Sequence, residues 1–214
     1  MARPSDTKTA RTDRRALLVS AASQLFSEHA YDEVTTTEIA KRAGVAYGLI
    51  AHHFTNKRGL YLATIQYAAE HLKNLQDSPP DGDTPAARLH NAIHRHIAYM
   101  DEHAAAFLAL MRGGNGSDQE VRAIIDDLRW QGAKRILRGI GVHEPVTPLL
   151  RSTMRGWVGY LDELIIDHIT YHDVPREHLV QLAVAALTTS LHTAHAIDPN
   201  IGISPAAIDK ITSH

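Results

Sequence analysis

The stretch EIAKRAGVAYGLIAHHF, Glu38–Phe54, decides how this chain is read. Ala40, Gly44 and Ile50 stand four and then six residues apart. A small alanine lets two helices cross closely, and a glycine takes the left-handed backbone that reverses a chain after a helix. Ile39, Val45, Ile50 and Phe54 then turn inward together, which leaves Ala46, Tyr47, Leu49, Ala51 and His53 nearer the outside. The paired histidines invite a metal reading, but neighbours on a helix point about 100° apart, so His52 and His53 do not share one ion. The spacing fits two short helices crossing at a tight turn. An ordinary αα-hairpin stays open as an alternative on spacing alone.

Working outward, apolar residues recur at helical intervals almost everywhere, and no segment alternates as a strand does. The first helix is expected from about Asp13 to His29, with Leu17, Ala21, Leu25 and Leu18, Ala22, Phe26 as its apolar rows. Thr35 or Thr36 caps the second helix, with Glu38 in its first turn. The third runs from about Ala46 to Phe54 and the fourth from Lys57 to Leu75. The run QDSPPDGDTP, residues 76–85, reads as a linker. Beyond it, residues 86–111 form a helix broken near Asp101–His103, and RGGNGSD interrupts the chain. Further helices run from Asp118 to about Arg138, from Thr147–Pro148 to Tyr171 and from Pro175 to about Ala196. A short one follows Ser204. The class is all-α: residues 1–57 form an arm and a three-helix domain, a fourth helix connects, and residues 76–214 form a second helical domain.

Of 22 basic and 24 acidic residues, nine basic and six acidic fall in the first 60, so a basic end sits on an acidic body. That end suits a polyanion, with Arg11, Arg14 and Arg15 adding attraction that weakens with salt. The chain has no cysteine, which excludes thiol chemistry and disulfides and fits a reducing cytoplasm. No apolar run approaches the roughly 20 residues that span a bilayer. There is no glycine-rich phosphate loop, nucleophile motif or carboxylate–histidine metal motif, so catalysis is not expected. The 15 histidines are scattered. The pairs His90/His94, His168/His172 and His192/His195 have chelating spacing, but nothing in the sequence completes them, and no metal or cofactor is expected.

The run AASQLFSEHAYDEVTTTEIAKRAGVAYGLIAHHFTNKRGLY, residues 21–61, resembles the DNA-binding domain of the tetracycline-repressor (TetR) family of bacterial regulators. The resemblance implies a helix-turn-helix whose second helix enters the major groove of double-stranded DNA. It places Thr36 and Thr37 against phosphates, Ala46, Tyr47 and Gly48 near base edges, and His52 and His53 at the end of the recognition helix. Lys57 stands at the start of the fourth helix, where its ammonium and the free N–H groups share a phosphate, and Arg14 adds to the backbone contacts. Leu49 and Ala51 depart from the family, which often has threonine and tyrosine there. Leu49 could meet a thymine methyl instead.

The resemblance further implies a homodimer, a small-molecule effector and release of a pseudo-palindromic operator. His94, Phe107, Met111, Met154, Trp157 and Tyr160 are candidate pocket residues. Leu161, Leu164, Leu179, Ala183, Leu187 and Leu191 are candidates for the dimer interface, although an internal core would look the same. Gly156 and Gly159, in mid-helix, each cost about 1 kcal/mol against alanine and call for compensation. The alternative is a small-molecule or metal-binding helical protein with a vestigial helix-turn-helix.

Overall fold

The computed structural model describes residues 4–78, 81–112 and 118–211. The expected linker prolines at 79–80, the glycine-rich break at 113–117 and the side chain of Arg11 lie outside the described residues. The fold is all-α: α1 (Pro4–Glu28), α2 (Thr36–Ala43), α3 (Gly48–Phe54), α4 (Lys57–Asp77), α5 (Pro85–Glu102), α6 (Ala104–Arg112), α7 (Gln119–Gly139), α8 (Pro148–Tyr171), α9 (Arg176–Ile197) and α10 (Pro205–Asp209). The helix starts follow local chemistry. Thr35 Oγ1 accepts from the Glu38 amide at 3.2 Å, and the Glu38 carboxylate takes the Thr35 amide at 2.8 Å, a reciprocal capping box. Thr84 and Ser204 cap α5 and α10, each with proline at the next position. Thr147 precedes Pro148 as expected, but its hydroxyl donates to the Ile201 carbonyl at 3.2 Å instead of capping α8. α1 begins nine residues earlier than the expected Asp13, and α3 begins at Gly48, two residues after the expected Ala46.

The chain divides into two compact units. One holds residues up to 72 together with 105–125; the other holds 73–104 together with residues from 126 onward. The break in composition at 76–85 falls between the end of α4 at Asp77 and the start of α5 at Pro85. It does not say which helices pack, and residues 105–125 return to the first unit. The reason is apolar: Leu62 and Ile65 of α4 pack with Val121 of α7, with Leu110, Ile124 and Ile125 against them. The main core of this unit gathers Leu18, Ala22, Leu25 and Phe26 of α1, Ile39 and Ala40 of α2, Ile50 and Phe54 of α3, and Leu60 of α4.

In the second unit, α8 and α9 pack on each other and on α5. Trp157 is buried between them, and its indole N–H donates to the Ala183 carbonyl at 2.8 Å. Arg129 of α7 meets Asp162 of α8 at 2.7 Å; burial raises the Asp162 carboxyl pKa despite that cation. Asp101, at the end of α5, receives Arg176 at 2.8 Å, His172 at 3.4 Å and His168 at 3.9 Å. On α5, His96 Nδ1 lies 3.4 Å from the amide nitrogen of Gln76.

Desolvation holds the His96 imidazole down at about 4. The unfolded chain takes up a proton there near its ordinary value of 6.5. Stability from the neutral ring is therefore complete above pH 6.5 and is lost as the pH falls toward 4. We expect the urea midpoint of the wild type to fall between pH 6.5 and 4.5, with His96 contributing at most roughly 3 kcal/mol. His96→Gln should flatten that fall; an equally steep profile in the variant would remove His96 from the explanation.

Candidate nucleic-acid interface

The reading head is set by the turn after α2. Gly44 lies at φ 66°, and its amide donates to Lys41 O while the Val45 amide donates to Ala40 O, closing the helix. Ala40 is buried at the crossing, and Ile39, Ile50 and Phe54 are buried with it. α3 therefore lies with one face on the first unit's core. Ala46, Tyr47, Gly48, Ala51 and His52 are exposed on the other. Leu49 is half-buried and packs against the core, so less of it is outward than its position suggested. His53 is half-buried as well.

Tyr47 is 60% exposed, and the Thr36 hydroxyl donates to its phenol oxygen at 3.4 Å, which ties the start of α3 to the start of α2. Thr37 is exposed beside it. At the other end of α3, Asn56 Oδ1 accepts from the Gly59 amide at 2.9 Å and caps α4. Lys57 follows, its ammonium 4.3 Å from the centre of the Tyr31 ring. Tyr31 in turn packs against Phe26 and Tyr61 at 5.6 and 5.0 Å between ring centroids. Arg14 is exposed on α1, which replaces the arm expected ahead of Asp13, and the Arg15 guanidinium lies 5.1 Å from the centre of the Phe54 ring.

Thus the proposed DNA-contacting residues Arg14, Thr36, Thr37, Ala46, Tyr47, Gly48, Leu49, His52, His53 and Lys57 all lie in the first unit. The aromatic seat under Lys57 was not foreseen from sequence, because Tyr31 lies 26 positions away in a turn. The Arg58 pairing with Asp118 and Glu120 was missed too, although two cations at a helix start with no acid in the first turn were a legible signal.

The candidate pocket and dimer residues distribute differently. Phe107 and Met111 belong to the first unit, whereas His94, Met154, Trp157 and Tyr160 belong to the second, so neither unit holds all six. Met154 and Trp157 are core, and Tyr160 is 39% exposed. Leu161, Leu179, Ala183, Leu187 and Leu191 are buried in the chain's own core; only Leu164 of that set keeps partial exposure. The leucine-rich stripe of α8 and α9 is thus the inward face. The outward face carries Gly156, Gly159, Tyr160, Leu182 and Ala185. Among the described residues, no three His, Asp or Glu side chains are grouped as metal ligands.

Thr55, between α3 and α4, adopts φ 71° and ψ −50°, a region suited to glycine. Thr55→Gly is expected to stabilise the first unit by about 1 kcal/mol, relief of strain outweighing the added freedom of the unfolded chain. A urea midpoint below that of the wild type would show that the conformation is not strained.

Comparison with known proteins places this geometry. Residues 18–64 match the family "Bacterial regulatory proteins, tetR family", and residues 85–190 match "Tetracyclin repressor-like, C-terminal domain". A tetR-family transcriptional regulator of Streptomyces coelicolor is similar in structure, with a TM-score of 0.79 and 30% identity, over 94% of this chain and 89% of that one. The fatty acid degradation regulator FadR of Bacillus halodurans shares the fold at a TM-score of 0.60 and 18% identity, over 83% and 94%. The HTH-type transcriptional regulator BetI of Serratia proteamaculans is 31% identical over 110 residues, 51% of this chain, and the match spans 48% of BetI. The chain thus spans about half the length of the curated relative it matches there. With both segments matched and the reading head assembled as described, the chain belongs to the TetR family of bacterial regulatory proteins.

Proposed function

We propose that the protein is a homodimeric transcriptional repressor that leaves a pseudo-palindromic operator when a small organic effector binds its second unit. The observation that carries this reading is the exposed group of Thr37, Ala46, Tyr47 and Gly48 around the start of α3, with Lys57 opening α4 beyond its other end. It combines exposed side chains around the start of the second helix of the helix-turn-helix with a helix N-terminus suited to a phosphate. Two such heads in a dimer would enter successive major grooves. The effector must discriminate between DNA-competent and released forms to have any effect.

The second unit offers polar groups to such an effector. Gln76 Oε1 and Arg135 Nη1 are buried and make no hydrogen bond among the described residues, and His96 nearby is neutral at physiological pH. A buried polar group left unpaired is costly, which favours a ligand or water bound there. No described helix is long and apolar enough to cross a membrane. From the family match we infer a cytoplasmic protein that acts on DNA rather than as an enzyme.

The test is binding of the purified protein to the DNA upstream of its own gene against a scrambled duplex, across a salt series. Preference for the upstream duplex is expected, with Tyr47→Ala abolishing most of that preference. Lys57→Ala should weaken both duplexes and make the salt slope shallower by about one. Equal binding of both duplexes by the wild type would refute the regulator reading.

The dimer is assigned to the outward face of α8 and α9. A Cβ at Gly156 or Gly159 would meet nothing within 4 Å in this chain, and Leu182, on the facing part of α9, is 47% exposed. Close approach of a second copy accounts for two mid-helix glycines that nothing in the chain itself requires. Gly159→Arg and Leu182→Glu should each sediment as monomers at concentrations where the wild type is dimeric. A dimer undisturbed by both would place the interface elsewhere.

A further inference from the structure

Lys57 and Arg58 open α4 side by side, with no acid in its first turn. Cations there oppose the positive end of the helix dipole, so each calls for an anion from elsewhere. Arg58 has two. Its Nε donates to Asp118 Oδ2 at 2.7 Å, and its Nη2 donates to Asp118 Oδ1 at 3.0 Å and to Glu120 Oε2 at 2.9 Å. The hydrogen bonds from Arg58 hold the Asp118 carboxyl down at about 2. Asp118 also accepts from the amides of Glu120 and Val121, at 3.0 and 3.4 Å, and so caps α7. Beneath this charged knot lies the apolar seam of Leu62 and Ile65 with Val121. The N-terminal parts of α4 and α7 are therefore joined by both an ion pair and an apolar contact.

On its other side, α4 is joined to the recognition helix by two residues, Thr55 and Asn56. Ile50 and Phe54 of α3 share one core with Leu60 and Ala63 of α4. A shift at the start of α4 would carry α3 with it. An arginine next to Lys57 would ordinarily be read as a second phosphate ligand. Its fork is instead engaged by carboxylates within the protein.

We propose that Arg58 is a positioning residue for DNA recognition: gripped by Asp118 and Glu120, it makes the start of α7 fix where α3 and Lys57 stand. The inference rests on the DNA-binding reading above. α7 runs on past residue 125 into the part of the chain that belongs to the second unit.

The full-length protein is tested on two duplexes: the tightest binder selected by the wild type from a random library, and a scrambled version. Arg58→Met and the double variant Asp118→Asn/Glu120→Gln should each weaken the selected duplex by about tenfold or more. The triple variant should be no weaker than either, because the three residues act as one unit. Affinity for the scrambled duplex and its salt slope should stay as in the wild type. A shallower slope on both duplexes in Arg58→Met would make Arg58 a phosphate ligand and overturn the proposal, as would unchanged affinity for the selected duplex.

Hydrogen exchange guards against mere unfolding. In the double variant, amides of residues 48–60 should exchange about tenfold faster while those of 148–197 are unchanged. Unaltered exchange at 48–60 would overturn the coupling. If the wild type selects no duplex, the DNA-binding reading has failed, and hydrogen exchange still decides the coupling on its own.

Discussion

The left-handed turn at Gly44 is the constraint on which the DNA-facing half depends. An L-residue with a side chain is strained at φ 66°, and without that turn α2 could not end at Ala43 and give way to α3 four residues beyond Gly44. The tight reversal puts Ile50 and Phe54 on the core shared with α1, and burying that face fixes which side chains are left outside. Tyr47 stands just before α3, outside the face that Ile50 and Phe54 bury, and stays 60% exposed. The exposed surface is therefore a by-product of the packing, and its shape is only as firm as the crossing at Ala40.

Much of this was legible because it is local. A capping box, a glycine stop, prolines at first helical positions and a 3.6-residue rhythm all act within a few residues. They foretold the order of the helices and most of their limits. The Arg58–Asp118 pair was not foretold, since its partners are 60 positions apart and joined only by the path of the chain. The same holds for residues 105–125 joining the first unit. The leucines of α8 and α9 show a further limit. A helix seen as a sequence has an apolar stripe, and the stripe does not say whether it meets its own core or a second copy. Here it meets the core, because Leu161, Leu187 and Leu191 are buried within the chain itself. The residues on which the proposed dimer rests are instead two that break helix preference on the outward face, Gly156 and Gly159.

The two units differ in what their interiors contain. The first is closed mainly by aliphatic and aromatic groups, with Phe26, Tyr31 and Tyr61 gathered at one end and Thr64 buried as well. The second buries or half-buries His96, Asp162, His168 and the unpaired oxygen of Gln76. Polar groups of that kind weaken a purely structural core. His96, Asp162 and His168 lie within residues 85–190, the stretch that matches the C-terminal family domain.

The seat of Lys57 on Tyr31 has a consequence for the timing of DNA encounter. A free lysine surrenders up to about 2 kcal/mol of rotamer freedom when it is immobilised. Lys57 is already held against an aromatic face, so part of that loss precedes the arrival of DNA. Its charge is presented from one spot rather than from a cloud of rotamers. For the phosphate contact proposed above, Lys57 would then be a ready partner, which favours productive first collisions over a search among side-chain conformers after contact.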